Sequence, residues 1–154
     1  MQRGMVGSYA NALDIYLERL NADVVTIECR GDDGAELALF KPYRSSLKKK
    51  IAIGVVSHRT LQVESAEEVA DLTTRALEAI DADKLILSSD CGFGRQGCNR
   101  LIAFYKAAAV AQGANIVLRR LGLPERPVPI ADEGAQVDVV STTQSRLFGG
   151  ITRS

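Results

Sequence analysis

Three short apolar runs predict the strands of this chain. They cover residues 24–27, 51–56 and 85–89. Each run is a continuous block dominated by β-branched residues, leucine and small residues, rather than an alternation of apolar and polar positions. Continuous runs of this kind are typical of strands that are buried on both faces of a sheet. The pattern therefore predicts three strands of one covered sheet.

Apolar residues at helical spacing predict helices before, between and after these strands. Ser65 and Glu68 form a capping box at the start of the second helix. A third helix is predicted over 99–121, with Gly122 as its C-terminal glycine. Strands separated by crossover helices pair in parallel, so the predicted fold class is α/β. The spaced residues are Leu13, Tyr16, Leu17 and Leu20 in the first helix, and Val69, Leu72, Ala76, Leu77 and Ile80 in the second.

The chain changes character after residue 123. Regular structure is interrupted there by Pro124, Pro127 and Pro129. We therefore expect one domain over 1–123 and an extended tail over 124–154, with a short strand at 137–140. A complete (β/α)8 barrel takes roughly 200 residues or more. The chain is thus predicted to be either a small open α/β domain or the C-terminal part of a barrel whose first half lies elsewhere.

The charge and the cysteine content of the chain exclude some classes of partner and indicate a cellular location. Basic and acidic residues number 19 each, so the formal net charge is zero. Nucleic acids and anionic membrane surfaces attract a basic excess, so neither is an expected partner. We expect no apolar stretch that reaches the roughly 18 residues needed to span a bilayer. Three irregularly spaced cysteines argue against a disulfide framework and favour a reducing cytoplasm as the location.

Three residues that can bind a metal or move a proton stand at the predicted strand ends: Glu28, His58 and Cys91. In parallel α/β folds, functional side chains gather where strands end and loops begin, so we expect these three at one edge of the sheet. Carboxylate, imidazole and thiolate groups are the usual ligands of zinc. Taken singly, each residue also fits an ordinary role, as a salt-bridged glutamate, a hydrogen-bonded histidine or a small buried thiol.

Segments around these residues resemble the zinc-dependent catalytic barrel of cobalamin-independent methionine synthases. Residues 21–28 are similar to the family's strand that ends in a zinc-binding glutamate. Residues 85–92, with Asp-Cys-Gly after an apolar strand, are similar to the signature around its last zinc cysteine. Residues 63–69 and 95–121 resemble two of its helical segments. The resemblance implies that this chain is the C-terminal part of a (β/α)8 barrel.

The same resemblance implies roles for individual residues. Glu28 and Cys91 correspond to zinc ligands. The family's proton-donor histidine lies in the loop after the strand at 51–56, which makes His58 the candidate catalytic residue, although an ungapped correspondence would place that histidine at Arg59. Cys29 is expected to point to the opposite face of the strand from Glu28, so it is not counted as a ligand.

The implied activity is the zinc-dependent transfer of a methyl group from 5-methyltetrahydrofolate to the thiol of homocysteine, giving methionine. The family's His-x-Cys zinc pair does not occur in this sequence, and the first strand would have one unpaired edge. We therefore expect a partner, either an upstream barrel half or further copies in a homo-oligomer. Two other hypotheses stay open. One is a related zinc-dependent alkyltransferase, in which a coenzyme M-like thiol attacks an epoxide. The other is a non-catalytic remnant or a barrel-completing subunit.

Overall fold

The computed structural model describes residues 8–94 and 97–129, which form an open sheet of three parallel strands with helices packed against it. The strands are β1 (Val24–Ile27), β2 (Lys50–Val56) and β3 (Leu85–Ser89), in the spatial order β1-β2-β3. Both pairings are parallel. The prediction of three adjacent parallel strands is confirmed. Closure into a barrel stays a prediction.

Two α-helices pack against the sheet, one between β2 and β3 in the chain and one after β3. Helix α1 (Ala66–Leu77) begins with the predicted capping box between Ser65 and Glu68. Helix α2 (Arg100–Arg120) begins after Asn99, whose side chain accepts the N–H of Ile102. Gly122, two residues after the helix, adopts the left-handed conformation with a φ of 70°. The predicted C-terminal glycine is therefore confirmed, because this conformation is one that glycine adopts without strain.

The chain before and after β1 forms short helical turns instead of a regular α-helix. A 3₁₀ turn at Tyr9–Asn11 and a π-helical turn at Ile15–Arg19 replace the predicted first helix. Further 3₁₀ turns follow β1 at Arg30–Asp32 and Leu37–Tyr43. The helical spacing correctly marked Leu17 for burial. It did not specify the hydrogen-bond pattern, because 3₁₀, α and π turns place residues three to five apart on similar faces.

Strand β2 lies at the centre of the core. All residues from 51 to 56 are buried, as the continuous apolar run predicts. Strand β1 differs, because burial alternates along it and Val24 remains 42% exposed. Strand β3 is half-buried along its whole length. The central position of β2 accounts for this difference, since β1 and β3 each pair with β2 alone in the described sheet.

Helix α2 corrects the expectation that no segment is apolar enough to cross a bilayer. Its 21 residues include an 18-residue window of mean hydropathy 1.4, which meets the length and composition of a membrane span. The same helix packs against α1 and buries the charged Lys106 against Glu64. Core helices of globular domains meet the same criterion, so one such helix is weak support for a membrane protein.

The start of the predicted tail is exposed and contacts α2 through two side chains of that helix, Asn115 and Arg119, and Nε of Arg119 lies 2.8 Å from Oε1 of Glu125. The amide of Asn115 exchanges two hydrogen bonds with the backbone of Arg126, at 2.9 and 3.0 Å. The predicted strand at 137–140 lies outside the described residues. The division into a domain over 1–123 and a tail over 124–154 therefore stays a prediction.

Candidate metal and proton-transfer site

The carboxyl ends of the three strands bring a glutamate, a histidine and an aspartate together. Glu28 directly follows β1, His58 lies in the loop after β2, and Asp90 directly follows β3. One ligand atom from each lies within 4.8 Å of the other two. Within the described ranges, this is the one group of three or more such side chains close enough to share a metal ion. The strand-end positions thus correctly place Glu28 beside His58.

Cys91, the third predicted site residue, lies next to this group in the chain and is not a member of it. Its side chain is exposed, whereas the preceding Asp90 is buried and takes part in the group. Both residues lie in the bend that follows β3, where the side chain of Asp90 turns inward and that of Cys91 turns to solvent. The zinc-ligand role of Cys91 stays a prediction that requires its thiol to turn toward Glu28.

Asp90 fixes the loop that follows β1. Its Oδ1 accepts the N–H groups of Cys29 and Arg30, and its Oδ2 accepts the N–H of Gly31, all at 2.9 Å. Burial raises the pKa of the Asp90 carboxyl group, and the three backbone donors oppose that rise. Because three N–H groups of one loop donate to this carboxylate, it defines the position of the strand end, and hence of Glu28.

Glu28 is paired with an arginine from the loop after β2. Nη2 of Arg59 lies 2.7 Å from Oε2 of Glu28, and both side chains are partly exposed. The backbone N–H of Glu28 also donates to the hydroxyl of Tyr9 at 3.2 Å. Sequence reasoning singled out Arg59 only as a shifted histidine position and did not predict this contact. The position of a basic residue next to His58 was the one feature of the sequence that could have indicated an ion pair with Glu28.

His58 presents a nitrogen without a partner. Its Nδ1 is buried and makes no hydrogen bond, and no other side-chain nitrogen or oxygen in the described part of the chain has this status. Leaving a buried polar atom unpaired costs about 1–3 kcal/mol. Such an atom therefore indicates a site that accepts a partner. A ring nitrogen beside two carboxylates is suited to binding a metal or to passing a proton.

Cys29 points away from this group and into the core. It is 2% exposed and packs with the apolar residues around β2. Burial raises the pKa of its thiol to about 12, and nearby carboxylates add to the rise. A thiol held neutral in this way is a poor metal ligand, because metals bind the thiolate. The expectation that Cys29 lies on the opposite face from Glu28 agrees with this position.

A polar cleft of about 620 Å³ opens at the same edge of the sheet. It lies between the loops that follow β1 and β2 and includes Arg59, so it adjoins the ion pair with Glu28. Charged and hydroxyl side chains dominate its lining, which suits a small polar ligand rather than an apolar one. The other lining residues are Arg30, Gly31, Asp32, Asp33, Ser57, Thr60, Gln62, Glu64 and Glu68.

A protein family described as "Cobalamin-independent synthase, Catalytic domain" matches residues 5–112 of the chain. This match covers more than half of the 154 residues. The chain belongs to the cobalamin-independent methionine synthase family. The resemblance inferred from the strand-end segments is thereby confirmed.

Individual relatives agree with this assignment and show how much of the family's length is present. A methionine synthase of Saccharolobus islandicus is 28% identical over 106 residues, which are 69% of this chain and 31% of that protein. A 5-methyltetrahydropteroyltriglutamate–homocysteine methyltransferase of Thermodesulfovibrio yellowstonii is 30% identical over 95 residues, 62% of this chain and 12% of that protein. The chain therefore spans about a third or less of the length of these relatives.

A solved structure also resembles the fold. It is a B12-independent methionine synthase from a Shewanella species in complex with selenomethionine. The two chains superpose with a TM-score of 0.63 at 30% sequence identity, over 74% of this chain and 32% of the other. The three parallel strands therefore correspond to part of the catalytic domain of a methionine synthase.

The family is zinc-dependent, and the residues present fit a part of a zinc site. The unpaired Nδ1 of His58 and the carboxylate of Glu28 are donors that zinc accepts, and the Cys91 thiol is adjacent in the chain. Two features work against an ion in the arrangement described. Asp90 already accepts three N–H groups, and Oε2 of Glu28 is paired with Arg59. The donor types fit zinc, and the set is incomplete without further ligands.

Proposed function

We propose that this chain supplies part of a zinc site for methyl transfer from 5-methyltetrahydrofolate to the thiol of homocysteine. The observation that carries the proposal is the meeting of Glu28 and His58 at the carboxyl ends of β1 and β2, within 4.8 Å of each other and of Asp90. Family membership suggests the chemistry, and the residue types at this edge of the sheet support the proposal. The relatives named above as methionine synthases support the choice of reaction.

In this proposal, zinc would favour the thiolate form of the acceptor thiol at neutral pH. Glu28 and Cys91 would hold the ion, and the carboxylate charge of Glu28 would tune it. A carboxylate has two oxygens, so the contact between Oε2 and Arg59 leaves Oε1 for an ion. His58, or a water that its free Nδ1 orients, would give a proton to the departing folate nitrogen.

The proposal includes a partner for the chain. Catalytic zinc sites normally have three protein ligands, and this sequence contains no His-x-Cys pair. The exposed Val24 on the edge strand β1, which pairs only with β2 in the described sheet, offers a place where another strand could add. We therefore expect the chain on its own to bind zinc weakly and to show no measurable methyl transfer. A second polypeptide or further copies would complete the site.

A barrel-completing subunit without catalytic ligands is the second candidate, and the open edge of β1 favours it. The two candidates make different demands on Glu28 and Cys91. If these residues hold zinc, then Glu28→Gln and Cys91→Ser should each weaken zinc binding of the chain by about tenfold or more, because each removes one of a small set of ligands. Cys98→Ser is the matched control, since Cys98 is also a free thiol but lies outside the predicted site.

Equilibrium dialysis with zinc, followed by metal analysis, measures this directly. The zinc-site proposal expects Cys98→Ser to bind as the unchanged chain does and the other two variants to bind less. Equal binding by all four proteins would overturn the proposed ligands and leave the barrel-completing role.

A further inference from the structure

A fully buried ion pair lies behind the loop that carries His58. Nζ of Lys106 on α2 is 2.8 Å from Oε2 of Glu64, and the two side chains are 0% and 4% exposed. Removing two charges from water costs several kcal/mol per ion before their attraction is counted. Well-packed apolar residues of the same size are often as stable. The presence of this pair therefore requires a reason other than stability.

The remaining hydrogen bonds of the pair go to the two ends of one loop. Oε1 of Glu64 accepts the backbone N–H of Ser57 at 2.8 Å, directly after β2. Nζ of Lys106 also donates to the backbone carbonyl of Gln62 at 2.5 Å. The loop 57–62 lies between these two points. Within it are His58, with its unpaired Nδ1, and Arg59, which contacts Glu28.

Glu64 also reaches the loop that follows β1. Its Oε1 is 3.8 Å from Nε of Arg30, whose backbone N–H donates to Asp90. Two buried carboxylates therefore connect the loops at this edge of the sheet. Asp90 fixes the loop after β1, and Glu64 fixes the loop after β2 while contacting the first. Hydrogen bonds and ion pairs are directional, so they define the positions of these loops more closely than apolar packing would.

We infer that Glu64 and Lys106 are positioning residues for the proposed site: they hold the loop 57–62 so that His58 and Arg59 face Glu28. This role rests on the proposed function, because it acts through residues assigned to that site. Neither residue touches the ion or the substrate in this account. Outer residues that orient ligands typically change metal affinity by about 10–100-fold when replaced.

Paired substitutions separate positioning from simple structural support. Lys106→Met alone removes the ammonium partner of the buried Glu64 carboxylate and is expected to destabilise the fold. The double variant Glu64→Leu with Lys106→Met removes both charges and fills a similar volume, so the fold should survive. A second double variant, Glu64→Gln with Lys106→Met, keeps one carbonyl oxygen that can accept the Ser57 N–H. Both double variants lose the bond to the Gln62 carbonyl.

Two measurements on the full chain test the inference. Hydrogen exchange of the amide groups in 57–62 reports the order of the loop and needs no metal. Cobalt(II) binding, followed by the absorption of the ion, reports the site. We expect amide protection and cobalt affinity to fall in the same order: unchanged chain, then the glutamine double variant, then the leucine double variant. The leucine variant should bind cobalt at least about tenfold more weakly.

An exposed ion-pair group between α1 and α2 provides the control. Arg120 on α2 contacts Glu67 and Asp71 on α1. Arg120→Met should leave both the loop exchange and the cobalt spectrum unchanged. If the leucine double variant matches the unchanged chain in loop protection and cobalt affinity, the positioning role is wrong. If the unchanged chain binds no cobalt, the proposed function fails, and the amide exchange still decides whether the pair orders the loop.

Discussion

Gly54 on β2 leaves open the space that Asp90 occupies after β3. A Cβ atom at Gly54 would lie 2.1 Å from Oδ1 of Asp90 and within 2.7 Å of its backbone. The pairing of β2 with β3 shifts register between Gly54 and Val56, next to this contact. The absence of a side chain at one position therefore allows Asp90 to reach the loop after β1, which is a precondition for the arrangement of the proposed site.

Gly54→Ala is expected to destabilise the fold and displace Asp90. The added methyl group meets backbone as well as side-chain atoms, so a local shift of a flexible side chain cannot relieve it. Overpacking of this kind costs about 1–3 kcal/mol, and urea unfolding measures it. Gly92→Ala is the matched control, because nothing lies within 4 Å of a Cβ at that position. Equal unfolding midpoints for the two variants would contradict the role given to Gly54.

Asp90→Asn should lower the free energy of unfolding by about 2–3 kcal/mol. The substitution keeps the shape of the side chain, and its remaining oxygen can still accept the N–H groups of Cys29 and Arg30, but its NH₂ group then faces the N–H of Gly31. The loop after β1 should also exchange its amide protons faster, most clearly at Gly31. Asp83→Asn, at an exposed position, serves as the comparison. An Asp90→Asn variant as stable as that control would show that the three hydrogen bonds do not hold the loop.

Cys29 should make stability depend on alkaline pH. Burial raises the pKa of its thiol from 9.0 to about 12, so the folded state favours the protonated form. The resulting stabilisation is complete below pH 9 and is lost as the pH rises toward 12. Because other groups titrate in this pH range, the test compares the unchanged chain with a variant that lacks the thiol. The unfolding free energy of the unchanged chain should fall more steeply between pH 9 and 11 than that of Cys29→Ala. Parallel pH profiles would refute the assignment.

The sequence allowed the order and pairing of the strands to be predicted, because continuous apolar runs and intervening helices leave few arrangements. It did not reveal that β1 is half-exposed. Burial at Val24 depends on which strands flank it in space, and the composition of β1 resembles that of the central β2. The helical pattern also could not predict the short turns before β1, since local spacing does not distinguish 3₁₀, α and π turns.

The sequence allowed only the site residues at the strand ends to be predicted. The positions of Glu28 and His58 follow from parallel pairing, so their meeting could be foreseen. The partners of Arg59, Glu64 and Lys106 are set by the fold, and no local pattern in the sequence identifies those partners. A lysine in the interior of an alanine-rich helix was the available hint of a buried charge, and it needed a partner that only the fold identifies.

The thiol of Cys91 provides the most direct test of the zinc-site proposal, because Cys98 is an internal control in the same chain. Both are free cysteines outside the core, whereas Cys29 is buried and should react with iodoacetamide only after unfolding. A thiolate bound to a metal is withdrawn from alkylation. The measurement is the rate of alkylation at each cysteine, with and without zinc, followed by mass spectrometry of peptides. We predict that zinc slows alkylation of Cys91 and leaves Cys98 unchanged, and that Glu28→Gln abolishes the protection. Identical rates at Cys91 with and without zinc would contradict a site formed by Glu28 and Cys91.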